Sequence, residues 1–538
     1  MSFSRISVVL AAALSASIAS ASGYQPGEVI VKYKDGAVRS RTEANSLYQA
    51  AGVKSVRRFD GVMKGMEQVI LQDNVKVQDA IAEFMKSDAF EYAQPNYLLH
   101  AFPMYSTRFA RSGGGIPCIP GIQIPGCDPN GGIPGVPGGG TPPPGGGGTP
   151  GGGIPCIPGI QIPGCDPNGG TPGGGGGGAP PWCNLLPGVA LPGCPGGGGT
   201  PPPGGGGTPP PAGTRPDLQP APADMNPAVA DPDLAKSYGM SKIGATEVWK
   251  TWRGSKDFIV ADIDTGIDYN HEDLAFNVWR NPNPGAQKDV VGFDFVHNDG
   301  LPFDDQGHGS HTAGTIGAVG GNGKGTSGVA QRVSLMAVKF LSSEGSGTTA
   351  DAIRAIDYAI THGAKVLSNS WGGEGDDDNK GLRAAIQRAE DKGVIFVAAA
   401  GNGGDDGVGD DNDDTSATGH ADYPASFNAP NEIAVAATDE SDALAFFSNF
   451  GKNSVHVAAP GVNVYSTMPG NTYQQESGTS MACPHVAGAV ALVWSKHPEW
   501  DYKKVKQVLM DSVDKIAGLE AKVASGGRIN VLKALQAK

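Results

Sequence analysis

The constraint that most limits what this chain can fold into sits in its middle. From Gly113 to Pro216 glycine and proline dominate, so the 83 glycines and 43 prolines of the 538 residues are far from evenly spread. The stretch Gly113 to Gly132 recurs without change at Gly151 to Gly170, and a looser third copy surrounds Cys183 and Cys194. Such a segment has too little apolar side chain to bury a core, and its glycines do not fall at every third position, which excludes a collagen helix. It is expected to be a disordered spacer, spanning roughly 50–60 Å on average if about 100 residues behave as coil. The IPCIPGIQIPGC units leave a binding role open. The chain is thereby divided into a leader at 1–21, a small folded domain at 22–112, the linker at 113–224 and a larger folded domain at 225–538.

The leader has the three parts of a secretory signal: Arg5 near its start, an apolar and small-residue stretch from Ile6 to Ile18, and Ala19-Ser20-Ala21 before the cut. An apolar run of roughly a dozen residues is too short to span the roughly 30 Å hydrocarbon core, and no later segment approaches transmembrane length. Export fits the cysteines. Six of the seven (Cys118, Cys127, Cys156, Cys165, Cys183, Cys194) lie in the linker, where an oxidising compartment would pair them in an order the sequence leaves open. No Cys-x-x-Cys pair supports a metal site among them. From Asp224 onward 41 acidic and 26 basic residues give about −15, while everything before nearly balances, and an acidic soluble domain argues against nucleic acid as a partner.

In the small domain Glu28 to Tyr33 alternates like a strand, Gln68 to Gln72 reads as another, Val77 to Met85 has helical spacing, and Phe90-Glu-Tyr-Ala-Gln-Pro-Asn-Tyr97 follows. In the larger domain Phe258 to Ile263, Val333 to Val338, Lys365 to Ser370, Val394 to Ala399 and Glu432 to Ala437 are strand candidates. Ala350 to His362 and Lys380 to Lys392 are helical between them. That alternation predicts an α/β fold, a parallel sheet flanked by helices on both faces. Sites in such sheets lie at the carboxyl ends of the strands.

The reactive residues fall at those ends. Acyl transfer needs a hydroxyl nucleophile, an imidazole to take its proton and a carboxylate to hold the imidazole. Ile263-Asp264-Thr265-Gly266-Ile267-Asp268 ends a strand, Gly307-His308-Gly309-Ser310-His311 starts a small-residue helix, and Gly478-Thr479-Ser480-Met481-Ala482 opens an apolar helix. These three motifs, in the order Asp, His, Ser, resemble the signature motifs of subtilases over roughly residues 230 to 535. The small domain, from its VIVKYK strand to EYAQPNY, resembles the prodomain inhibitors of that family. The resemblance implies a subtilisin-like serine endopeptidase, secreted as a zymogen, with Ser480 as nucleophile, His308 as base and then acid, and Asp264 as orienting carboxylate. Asn402, after Ala398-Ala-Ala-Gly401, would donate to the oxyanion beside the Ser480 N–H. No His-Glu-x-x-His motif pairs His311 with His308, and His311 is expected to be structural.

The same resemblance implies a substrate strand that pairs with Ser370, Trp371, Gly372 and Gly373 and with the edge near Gly345-Ser346-Gly347. It implies structural calcium held by Asp273 and the loop Gly320 to Thr326, through Asn322, Lys324 and Thr326, with Asp231 or Asp233 closing the shell. Asp294, Asp299 and Asp304 form a candidate second site. Asp422, placed by the family pattern at the floor of the P1 pocket, together with Glu344, Glu374 and Asp376 to Asp378, suggests basic P1 residues. Arg108-Phe-Ala-Arg111 followed by Ser112 then suggests self-cleavage between Arg111 and Ser112. The expected partners are protein or peptide substrates and the chain's own prodomain, with no nucleic acid and no membrane span, acting as a monomer. A silent binding protein would be expected to have lost one of these catalytic residues. A structural surface protein working through the repeats is the other alternative.

Overall fold

A computed structural model describes residues 23–37, 41–59, 63–104, 215–222, 229–374, 379–404, 406–416 and 419–538. The leader, residues 105–214 with the six linker cysteines and the Arg111–Ser112 bond, and Asp376 to Asp378 lie outside these residues. The described residues belong to one compact unit.

The N-terminal domain is an antiparallel sheet of β1 (Tyr24–Tyr33), β2 (Val53–Arg58), β3 (Met66–Leu71) and β4 (Phe90–Ala101), in the order β4-β1-β3-β2. Two helices, Arg41–Ala50 and Val77–Phe84, accompany it. Strand alternation decides what each face of β1 touches. Val29 and Val31 join Val69, Leu71, Ala80 and Phe84 in the domain's own core. Ile30, on the opposite face, packs into the core of the larger domain. Burial of that one side chain stabilises the contact by about 1.5–3 kcal/mol.

The larger domain contributes β5 (Gly254–Asp264), β6 (Gly292–Asp294), β7 (Arg332–Lys339), β8 (Ser346–Thr348), β9 (Val366–Asn369), β10 (Trp371–Glu374), β11 (Ile395–Ala399), β12 (Asp422–Tyr423), β13 (Glu432–Thr438), β14 (Val457–Pro460), β15 (Val464–Met468), β16 (Thr472–Glu476), β17 (Asp514–Lys515) and β18 (Gly527–Arg528). Its main sheet runs β17-β18-β14-β13-β11-β9-β5-β7-β6. Every pair is parallel except β17 with β18. Along β5, Val260 faces the layer of the helices His308–Gly317 and Thr479–Lys496. Ala261 and Ile263 face the layer of Thr349–Thr361 and Lys380–Asp391. The predicted parallel α/β sheet with helices on both faces is the architecture observed.

A second sheet joins the two domains. β4 leaves the small sheet and runs between two strands of the larger domain, pairing antiparallel with β10 (Ala101 opposite Trp371, His100 opposite Gly372) and with β8 (Leu98 opposite Thr348, His100 opposite Ser346). Two of its amides seat on helix starts, where backbone N–H groups lack partners. Asn96 Oδ1 accepts from Ala350 N at 2.9 Å, and Gln94 Oε1 accepts from Gly381 N at 2.9 Å.

Candidate active site

The carboxyl end of β5 delivers Asp264, whose Oδ1 accepts from Thr265 N at 2.7 Å. His308 is the first residue of its helix and points Nδ1 at both Asp264 oxygens, 2.7 and 2.9 Å away. Its position depends on the turn before it. Gly307 has φ 114°, a left-handed conformation that disfavours a Cβ. Asp304 ties the turn down by accepting from Gln306 N, Gly307 N and Ser310 N at 2.7–3.0 Å. His308 Nε2 is buried without a hydrogen-bond partner. Burial alone would lower the His308 pKa, but the charge and hydrogen bond of Asp264, with the charges of Asp304 and Glu476, outweigh it and raise the imidazole above its ordinary value.

Ser480 is the second residue of the helix Thr479–Lys496, and the sequence around it explains how it is held. Pro484, four residues on, cannot supply the helical N–H to the Ser480 carbonyl. Ser370 Oγ donates to that carbonyl instead, at 3.0 Å, and Ser480 Oγ donates back to Ser370 O at 3.1 Å. Asn402 is oriented from the same helix start: its Oδ1 accepts from Thr479 N at 2.9 Å and Thr479 Oγ1 at 2.8 Å. That fixes Nδ2 toward the cleft, where it donates to the carbonyl of Pro103 at 3.1 Å.

The cleft is filled by the chain's own strand. Ala101 N donates to Gly345 O at 2.8 Å and Phe102 N to Ser370 O at 3.5 Å. The Trp371 side chain is core, with Nε1 on Ile263 O at 2.8 Å, so only its backbone serves the edge. The Phe102 ring is buried against Gly372. Asp422 is buried beside Gly401, and its Oδ2 accepts from Asn449 Nδ2 at 2.9 Å.

In the polar loop, Asp273 is fully buried; its Oδ1 accepts from Asn322 Nδ2 at 2.7 Å and its Oδ2 from Thr326 N at 3.0 Å. Burial pushes its carboxyl up to about 7. Asp231 joins the loop, accepting from Gly321 N, Asn322 N and Ser327 Oγ. Asp233 reaches the loop only through its backbone, its N–H donating to Gly325 O at 2.7 Å, while its carboxylate is bound to Lys236 and Tyr465. The Lys324 ammonium pairs with Glu272 at 3.0 Å, so its side chain holds no cation. His311 donates Nε2 to Val464 O or Gln474 O, and burial holds it near 3, a neutral structural histidine. Asp294, Asp299 and Asp304 do not converge: Asp304 serves the His308 turn, while the other two bind Arg215.

Residues 255–527, just over half of the chain, match the family model described as the subtilase family. The chain belongs to the subtilase family. A second model, the fervidolysin N-terminal prodomain, matches residues 11–96 and so begins inside the stretch read as a leader. Thermitase from Thermoactinomyces vulgaris is 40% identical over 302 residues, which cover 56% of this chain and 96% of thermitase. Subtilisin E from Bacillus subtilis is 40% identical over 273 residues, 51% of this chain and 64% of that protein. The crystal structure of fervidolysin from Fervidobacterium pennivorans, titled a keratinolytic enzyme related to subtilisin, superposes with a TM-score of 0.60 at 22% identity. The alignment covers 96% of this chain and 61% of that one, a likeness of fold. This subtilase is therefore a subtilisin-like serine endopeptidase with an N-terminal prodomain.

Sequence reasoning named Ser370 only as a backbone edge and missed its Oγ contact with the Ser480 carbonyl, which Pro484 leaves without a helical donor. It also did not seat Phe102 and Pro103 in the cleft. The proline inside an apolar helix was the available signal, since its missing N–H demands another donor. Because the imidazole is raised, His308 is protonated below that higher pKa and becomes a base only above it. In Ser480→Ala protein followed by NMR, His308 should titrate above about 6.5, and Asp264→Asn should lower that midpoint. A midpoint at or below the ordinary value with Asp264 intact would contradict the electrostatic account.

Proposed function

We propose that the protein is a secreted zymogen whose mature form cleaves extended protein segments through an acyl-enzyme on Ser480. Ser480 Oγ gives its proton to His308 Nε2 as it attacks the scissile carbonyl, while Asp264 holds Nδ1–H and stabilises the imidazolium. The oxygen that becomes negative is received by Asn402 Nδ2 and the Ser480 N–H at its helix start. His308 then returns the proton to the leaving amine, and water repeats the sequence on the acyl group. One observation supports this most directly: Asn402, its amide oriented by Thr479, already donates to a main-chain carbonyl of a strand laid through the cleft. Strand pairing reads backbone rather than side chains, which suits an endopeptidase. No helix among the described residues is long and apolar enough to cross a membrane.

The same strand is the proposed intramolecular inhibitor. Its seating supports a first self-cleavage beside Pro103, in place of the Arg111–Ser112 bond suggested by the sequence. The Phe102 ring lies buried against Gly372, and the Asp422 carboxylate, beside Gly401, is engaged by Asn449. With Phe102 N paired to Ser370 O, Phe102 is assigned to P1 and the Pro103 carbonyl lies one residue past the bond to be cut, so a large apolar residue at P1 is favoured over the basic one suggested by Asp422.

Calcium is the proposed structural ion. Among the described residues no group of three or more His, Cys, Asp or Glu side chains is placed to hold a metal. The candidate set is instead Asp231 and Asp273 with amide and backbone oxygens from Asn322 to Thr326. These fit a hard cation: two neighbouring carboxylates, one of them wholly buried without a basic hydrogen-bond partner, gain from a divalent charge. When bound there the ion would supply structural rigidity, not chemistry.

Ser480→Ala should accumulate uncut precursor and lose labelling by a serine-directed phosphonate, and the active protein should begin at Pro103 or Met104. Normal processing of Ser480→Ala would end the acyl-enzyme reading. In a peptide library Phe should exceed Arg at P1; the reverse order would restore Asp422 as the dominant specificity residue. Calcium at about 100-fold its Kd should stabilise the fold by about 2.7 kcal/mol, seen as a higher Tm than in chelator. Equal Tm values would remove the ion.

A further inference from the structure

The first residue of the larger domain's described lead-in, Arg215, is bound more tightly than a linker end requires. Arg215 Nη1 donates to Asp294 Oδ2, Asp299 Oδ1 and Leu301 O, each at 2.9 Å, and Nη2 donates to Asp299 Oδ2 at 2.6 Å. Asp294 is fully buried, and its Oδ2 is shared with His297 Nδ1 at 2.8 Å. A carboxylate so enclosed is costly unless a cation is held against it. Here the cation comes from the chain itself, as a planar fork that can meet several oxygens at once.

The residues after Arg215 are strapped down as well. Tyr269 Oη donates to Pro216 O at 2.7 Å, Asn270 Nδ2 to Asp217 O at 2.9 Å, and Gln219 N to Asn270 Oδ1 at 2.9 Å, while Leu218 packs on the main core. On its other side the Asp294 to Asp304 loop is joined to the catalytic elements: Ile267 N donates to Pro302 O at 3.0 Å, and Asp304 holds the turn before His308.

We propose that Arg215 is the resident cation of the subtilase domain, its guanidinium filling an oxygen cage so that the linker's end, rather than a dissociable ion, fastens the loop behind His308. Two consequences follow from the contacts. Residues 215–222 are part of the folded protease, so maturation must stop upstream of Arg215. Without the guanidinium, the cage offers four carboxylate and carbonyl contacts to a hard divalent ion, whose remaining positions water can fill.

The test uses full-length Ser480→Ala protein, which removes self-digestion, with and without Arg215→Ala, in chelator and in millimolar calcium. Arg215→Ala should lower the Tm by about 4–10 °C in chelator. Calcium should recover more for Arg215→Ala than for the Arg215 protein, and adding Asp299→Asn should abolish that extra recovery. Calcium at the Asp273 loop raises both proteins alike, so its failure there is distinguishable. Should Arg215→Ala not fold in chelator, Arg215→Lys, which keeps the charge but not the fork, should melt below the Arg215 protein with the same calcium-sensitive gap. Equal Tm values in chelator, or equal calcium gains, would overturn the proposal. So would a stable active enzyme whose N-terminus lies beyond Pro216.

Discussion

One strand belongs to two domains, and the rest of the structure is arranged around that. β4 pairs with β1 in the small sheet and, further along, with β8 and β10 across the cleft. Its hydrogen bonds are main-chain bonds, so the cleft accepts it for its extended shape, and the side chains decide register. Gln94 and Asn96 fix that register by seating on the starts of two helices, and Phe102 fixes it at the far end by filling a pocket. A slip by one residue would turn Phe102 away from Gly372 and move both amides off the helix starts.

The reacting side chains are positioned by local exceptions to regular structure. A left-handed glycine turns the chain into the His308 helix, and a proline inside the Ser480 helix frees the carbonyl that Ser370 then binds. Asn402 borrows both its acceptor contacts from Thr479, so the proposed oxyanion donor and the proposed nucleophile are built on one helix start. Each exception would be destabilising alone, and each is satisfied by a partner distant in sequence.

That pattern explains what could be read from the sequence. The strands from Phe258 to Ala437 and the helices Thr349–Thr361 and Lys380–Asp391 were legible because buried faces leave a period. Asp264, His308 and Ser480 were legible because each sits in a short motif. By contrast β2 carries Val53 and Val56 among basic and polar residues, too weak an alternation to stand out. The choice of Asp231 over Asp233 rests on which carboxylate reaches the loop amides, and the pairing of Arg215 with Asp294 and Asp299 joins residues some 80 positions apart. Neither leaves a periodic trace. Acidic residues suggested a metal shell at Asp294 and Asp299 because a sequence shows charge without its counter-charge, here Arg215.

The strand that fills the cleft is covalently continuous with the domain it blocks. While the chain is whole, strand and cleft meet at a concentration set by the tether, of millimolar order for a flexible link, whatever the amount of protein present. Once the link is cut, the same contacts must compete with dilution. On the proposed inhibitor reading, the identical set of hydrogen bonds would thus hold the enzyme silent before the cut and release it after, with volume, rather than any change of shape, acting as the signal.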